Sequence, residues 1–163
     1  MRPYRICFIC SGNICRSPTA EIVTRHLAAA AGLADLVEVD SAGTGRWHVG
    51  DDADPRALTA LRRRGYPIGR HCARQFQPAD FAERDLVVAL DSGHLRELRQ
   101  LAPTREAAAA VRLLRSFDPA ADPTDLDVPD PYYARAAEFD YVLDLVETSC
   151  RGLLAEIRAD LPA

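Results

Sequence analysis

The feature that most narrows the fold is the stretch Cys10-Ser11-Gly12-Asn13-Ile14-Cys15-Arg16-Ser17-Pro18. Before it runs Arg5-Ile6-Cys7-Phe8-Ile9, apolar and β-branched, the composition of a buried strand. After it, Ser17 and Pro18 predict a helix start: a hydroxyl to cap free N–H groups, then proline at the first helical position. The order is strand, tight loop, helix. Such a loop gathers backbone N–H groups at a helix N-terminus, a geometry that binds an anion such as phosphate. Cys10 begins the loop and Arg16 ends it. Amide dipoles, the helix end and the guanidinium all favour a thiolate there. The stretch therefore predicts a nucleophile set in an oxyanion cradle.

The rest of the chain repeats the alternation. A helix from Pro18 closes at Gly32, and Leu36–Val39 reads as a second strand. The loop Ser41–Asp52 carries Trp47 and His48, and Asp54-Pro55 opens a helix that ends at Gly65. Asp85–Leu90 is the clearest interior strand, followed by a helix from Asp91-Ser92 to about Leu101 and a short strand at Val111–Leu114. An aspartate- and proline-rich loop, Asp118–Pro131, leads to a last helix over Ala137–Asp160. Strands alternating with helices predict an α/β fold of three layers, a central four-stranded parallel sheet with helices on both faces. In such sheets ligands sit at the carboxyl ends of the strands, where the Cys10 loop falls.

Composition limits the functional classes. The length of 163 residues suits one domain spanning 1–163. A net charge of −4, with Arg62-Arg63-Arg64 the only basic run and that one suited to a solvated helix end, argues against a nucleic-acid partner. Neither a membrane anchor nor a signal peptide is visible, and five cysteines, an odd number, fit a reducing cytoplasm.

Cys7, Cys10 and Cys15 have the spacing C-x2-C-x4-C, which invites a metal or iron–sulfur reading. Cys7 and Cys10 lie three apart on an extended strand and so face opposite sides of the sheet, which removes it. A thioredoxin-type C-x-x-C fails for the same placement. Cys15 shares the loop with Cys10, and a reversible disulfide between them would shield the nucleophile from over-oxidation; a packed neighbour is the alternative. Of five aspartates in the late loop (118, 122, 125, 127 and 130), Asp130 stands apart because Pro131-Tyr132-Tyr133 follow. Their rings could bury one face of the carboxyl, raise its pKa and grip a planar substrate.

The run Cys10–Ser17 together with Asp130-Pro131-Tyr132-Tyr133 resembles the low-molecular-weight protein tyrosine phosphatases over essentially the whole chain. Ser41–Gly45 and Trp47–Gly50 are most similar to actinobacterial members. Ser11 departs from the leucine or threonine many members carry. The resemblance implies that Cys10 attacks phosphorus to form a phosphocysteine, with phosphate held by Ser11, Gly12, Asn13, Ile14, Cys15 and Arg16. It implies that Arg16 steadies the transition state and that Asp130 protonates the leaving phenol and then activates water. Ser17 would hold the Cys10 sulfur, Ser41 and His71 would support Asn13, and Trp47, Tyr132 and Tyr133 would wall the pocket. No cofactor or metal is implied. The implied partners are phosphotyrosine proteins and inhibitory oxyanions, met by a cytoplasmic monomer or weak dimer. A thioredoxin-coupled arsenate reductase lacks support, since only Cys72 and Cys150 remain as shuttling thiols, far apart in sequence. A catalytically idle phosphotyrosine-binding module is the rival of another class.

Overall fold

A computed structural model describes residues 2–161, so Met1, Pro162 and Ala163, the outermost residues of the expected 1–163 domain, lie outside it. Four strands form: β1 (Tyr4–Cys10), β2 (Val37–Gly43), β3 (Leu86–Ala89) and β4 (Val111–Leu113). All pair in parallel, in the order β2-β1-β3-β4. Among the described residues five α-helices accompany them: α1 (Arg16–Ala30), α2 (Pro55–Arg63), α3 (Ser92–Leu101), α4 (Arg105–Ala109) and α5 (Ala136–Asp160). Alternation along β1 divides the core. Ile6, Phe8 and Cys10 face a layer containing Val23 of α1, Leu61 of α2 and Val146 of α5. Cys7 and Ile9 face the other, with Phe81, Leu98 of α3 and Ala107 of α4. The expected three-layer parallel sheet is therefore what forms.

The order places a switch between β1 and β3, because the chain leaves β1 toward one edge and returns from the other. Loops diverge there and open a crevice at the strands' carboxyl ends. Cys10 ends β1 and Asp91 follows β3, so residues far apart in sequence meet at that crevice.

Two local expectations are corrected. Helix α1 begins at Arg16, not Pro18, and no side chain caps it. Ser17 cannot cap because its hydroxyl is buried against the loop, 3.0 Å from Cys10 Sγ. Strand β2 runs to Gly43 rather than stopping at Val39, since its pairing with β1 continues until Gly43 lies opposite Cys10. A glycine is needed there, because a Cβ would stand 2.5 Å from the Ser11 carbonyl oxygen.

Candidate active site

Residues 11–15 form the turn between β1 and α1. Among the described residues, none of their backbone N–H groups donates to a protein acceptor. Buried amides normally find a partner, so a run of free ones marks a place built for an external acceptor. The loop's shape is held from beneath. Asn13 takes a left-handed φ of 58° and is fully buried. Its Nδ2 donates to Ser17 Oγ and Ser41 Oγ, both at 2.9 Å, and its Oδ1 accepts the Arg74 N–H at 3.1 Å. His71 Nε2 lies 2.6 Å from the Asn13 carbonyl oxygen. With a lone pair of Ser17 Oγ taken by the amide, its proton is free for the sulfur of Cys10 at 3.0 Å rather than for the Ala42 carbonyl at 3.4 Å.

Arg16 is buried at the end of the loop. Its Nη1 donates to Asp91 Oδ2 at 2.8 Å and to the Val128 carbonyl at 2.9 Å. Among the described residues the acceptor facing its Nη2 is Asp130 Oδ2, at 3.6 Å, beyond hydrogen-bonding reach. One edge of the guanidinium is therefore anchored while the other is available to an oxyanion. Burial works to raise the Asp91 pKa, but the His94 N–H and Arg16 outweigh it and hold this carboxyl below its ordinary range.

A cleft of about 330 Å³ opens over the loop, lined by Cys10, Ser11, Gly12, Ile14, Cys15, Arg16, Trp47, His48, Asp130, Tyr132 and Tyr133. Asn13 lies beneath the cleft, not on its wall. Trp47 and Tyr133 are 75% and 96% exposed, so they form the rim rather than a closed wall. Tyr132 stands edge-on to Tyr133 at 4.9 Å and faces His48 at 6.0 Å. The aromatic shielding expected at Asp130 does not occur. Its side chain is 51% exposed, with Oδ1 accepting the Tyr132 N–H at 3.1 Å and Oδ2 turned to Arg16. Tyr133 projects into solvent, while the half-buried Tyr132 packs against the core instead of over the carboxyl. Cys15 shares the cleft, and its thiol is pushed up by burial and by Asp54. All five cysteines are free thiols.

Three contributors went unread in the sequence. Asp91 carried a signal, as a helix cap: its Oδ1 accepts the His94 N–H at 2.9 Å, and nothing local announces that the second oxygen serves Arg16. His94 and His48 carried none beyond their residue type.

Fold and site together define an α/β protein with a thiol, free amides and a guanidinium gathered around one cleft. The profile of the family described as low molecular weight phosphotyrosine protein phosphatase matches residues 5–163. A low molecular weight protein-tyrosine-phosphatase of Streptomyces coelicolor is 59% identical over 155 residues, covering 95% of this chain and 94% of that one. The crystal structure of YfkJ from Bacillus subtilis superposes with a TM-score of 0.91 at 36% identity, covering 98% of each chain. A protein tyrosine phosphatase from Entamoeba histolytica, crystallised with Hepes in its active site, gives 0.91 at 30% identity, covering 96% of this chain and 98% of that one. The chain belongs to the low molecular weight phosphotyrosine protein phosphatase family.

Proposed function

We infer that this protein tyrosine phosphatase cleaves phosphotyrosine with Cys10, Arg16 and Asp130 as its catalytic residues. The observation that carries the reading is that Cys10, residues 11, 12, 14 and 15 with their free amides, and Arg16 with its open edge line one cleft. Cys10 Sγ attacks phosphorus, forming the S–P bond as the P–O bond to the phenol breaks. Asp130, at the cleft mouth, gives its proton to the departing oxygen. Water then attacks the phosphocysteine, Asp130 takes the water's proton, and inorganic phosphate leaves with Cys10 restored. The amides of residues 11, 12, 14 and 15 and the Nη2 edge of Arg16 receive charge that grows on the equatorial oxygens. Asp91 keeps the guanidinium in place throughout.

A buried Cys10 beneath an exposed aromatic rim favours aryl phosphates, whose phosphorus stands farther from the backbone than in phosphoserine. Exposed Trp47 and Tyr133 suit a tyrosine carried on a protein surface, and the Hepes in the Entamoeba relative's active site supports oxyanion inhibition here. Among the described residues no helix is long and apolar enough to cross a membrane. The free thiols suit action in the cytoplasm, by a monomer or weak dimer. The reading extends to Cys15 as a redox partner for Cys10, supported by the two free thiols lining the same cleft.

Hydrolysis of p-nitrophenyl phosphate tests the assignment. Cys10→Ser abolishes turnover yet still binds phosphate, and Asp130→Ala lowers kcat by about 10²- to 10⁴-fold while leaving phosphate binding intact. Full activity in Cys10→Ser overturns it.

A further inference from the structure

Behind the phosphate loop, His94 is buried in the first turn of α3. Its Nε2 lies 2.8 Å from Ser11 Oγ, on the residue that follows the nucleophile. Its Nδ1 lies 3.2 Å from Asp91 Oδ1, too obliquely for a hydrogen bond, and has no other partner among the described residues. The same carboxylate binds Arg16 through Oδ2. Burying an imidazole with one unbonded nitrogen carries a desolvation cost that an aliphatic side chain would avoid. What the imidazole gains in return is the contact with Ser11.

We propose that His94 is a positioning residue for the phosphate loop, fixing Ser11 at one end of the cradle while the Asp91 carboxylate beside it fixes Arg16 at the other. The inference rests on the phosphatase reading of the cleft. A row of unpaired amides has no internal bond to keep its shape, so its preorganisation must come from outside it. Asn13 and its partners hold the middle of the loop. The Ser11 carbonyl accepts the Gly45 N–H at 3.0 Å from the β2 side, and His94 holds the Ser11 side chain from the β3 side. Residue 11 is thereby pinned across the crevice.

The direction of the Ser11 bond follows from charge. Burial, aided by Arg16 and opposed by Asp91, Asp130 and Asp127, pushes the imidazole down to about 4, so it is neutral at pH 7. The Asp91 carboxylate draws the single ring proton to Nδ1. Nε2 then accepts the Ser11 hydroxyl proton, which is held away from the cleft.

Nitrogen-15 NMR of the histidine side chains at pH 7 reads the tautomer without any turnover. Kinetics and phosphate inhibition read the consequence. Ser11→Ala is expected to raise KM for p-nitrophenyl phosphate and Ki for inorganic phosphate in parallel by about 5-fold, the worth of one hydrogen bond, with kcat little changed. His94→Phe reproduces that loss, His94→Gln restores an acceptor and recovers most of it, and the Ser11→Ala/His94→Phe double variant is no worse than either single one. Should His94→Phe fail to fold, Ser11→Ala and His94→Gln still decide. A His94 protonated on Nε2, an unchanged phosphate Ki in Ser11→Ala, His94→Gln as weak as His94→Phe, or losses that multiply in the double variant each overturn the proposal. A parent protein inactive on aryl phosphates would instead remove the phosphatase reading, leaving the tautomer result to stand alone.

Discussion

Asn13 shows how much one residue must satisfy. Its φ of 58° lies in the left-handed region, which asparagine enters more easily than most residues, and three hydrogen bonds of its side chain go to Ser17, Ser41 and the Arg74 backbone. Glycine would accept the dihedral and lose the bonds; alanine would lose both. Asn13→Ala is therefore expected to cost about 2–4 kcal/mol, from strain plus buried groups left unpaired, and Asn13→Gly about 1 kcal/mol less. Urea unfolding of the two variants measures the difference, and equal losses would show that strain plays no part. The dihedral of Asn13 is one its residue type favours, a local property. Its partners were not readable from spacing, since Ser41 and Arg74 arrive from β2 and from the segment after α2.

At the scale of elements, the start of α2 ties two loops together. The Asp54 N–H donates to the Ile14 carbonyl at 2.8 Å, joining α2 to the loop of residues 11–15. Asp54 also caps the helix through the Arg56 N–H at 2.8 Å and pairs with the Arg56 side chain, Nη2 to Oδ2, at 2.8 Å. Arg56 Nη2 donates onward to the Tyr132 carbonyl at 2.8 Å, and the guanidinium lies over the ring of Phe139, 4.7 Å from its centroid. The segment carrying Asp130 is thus braced against the segment carrying Cys10. Arg56→Ala should lower kcat by about 10- to 100-fold through misplacement of Asp130, the proposed acid, with phosphate Ki moving far less. Arg56→Lys should recover little, because an ammonium cannot serve the carboxylate and the carbonyl with one planar fork. Steady-state kinetics with phosphate inhibition separates the two effects, and an unchanged kcat in Arg56→Ala refutes the brace. The pair Asp54-Pro55 was legible as a helix start because capping is local. Ser17-Pro18 looked the same and was not one, because the loop claimed its hydroxyl.

For the whole molecule, the buried neutral His94 makes stability depend on pH. The unfolded chain protonates this histidine near 6.5, whereas the folded chain resists until about 4. Between those values the unfolded state binds more protons, so stability falls as pH drops. Asp54, Asp85 and Asp91 are held below the ordinary 3.8, so their contribution is present above that value and is lost as pH falls through their folded values. Acid should act in two stages, the histidine first and the carboxylates after. Thermal melts from pH 7 to 3.5 are expected to show Tm declining across the upper window, and His94→Gln to flatten that part alone. A wild-type Tm constant from pH 6.5 to 4 would contradict the burial of a neutral imidazole.

By itself the sequence determined the strand, loop and helix around Cys10, the alternation that makes a parallel sheet, and the family resemblance carried by two short motifs. These depend on short-range rules of dihedral, capping and hydrophobic period, which act between residues close along the chain. Tertiary structure alone decided the strand order, and with it the arrival of Asp91, Val128 and His94 at a loop made of residues 10–16. Their contacts with Arg16 and Ser11 are set by which strands lie side by side and where the crevice opens, and no local pattern encodes that.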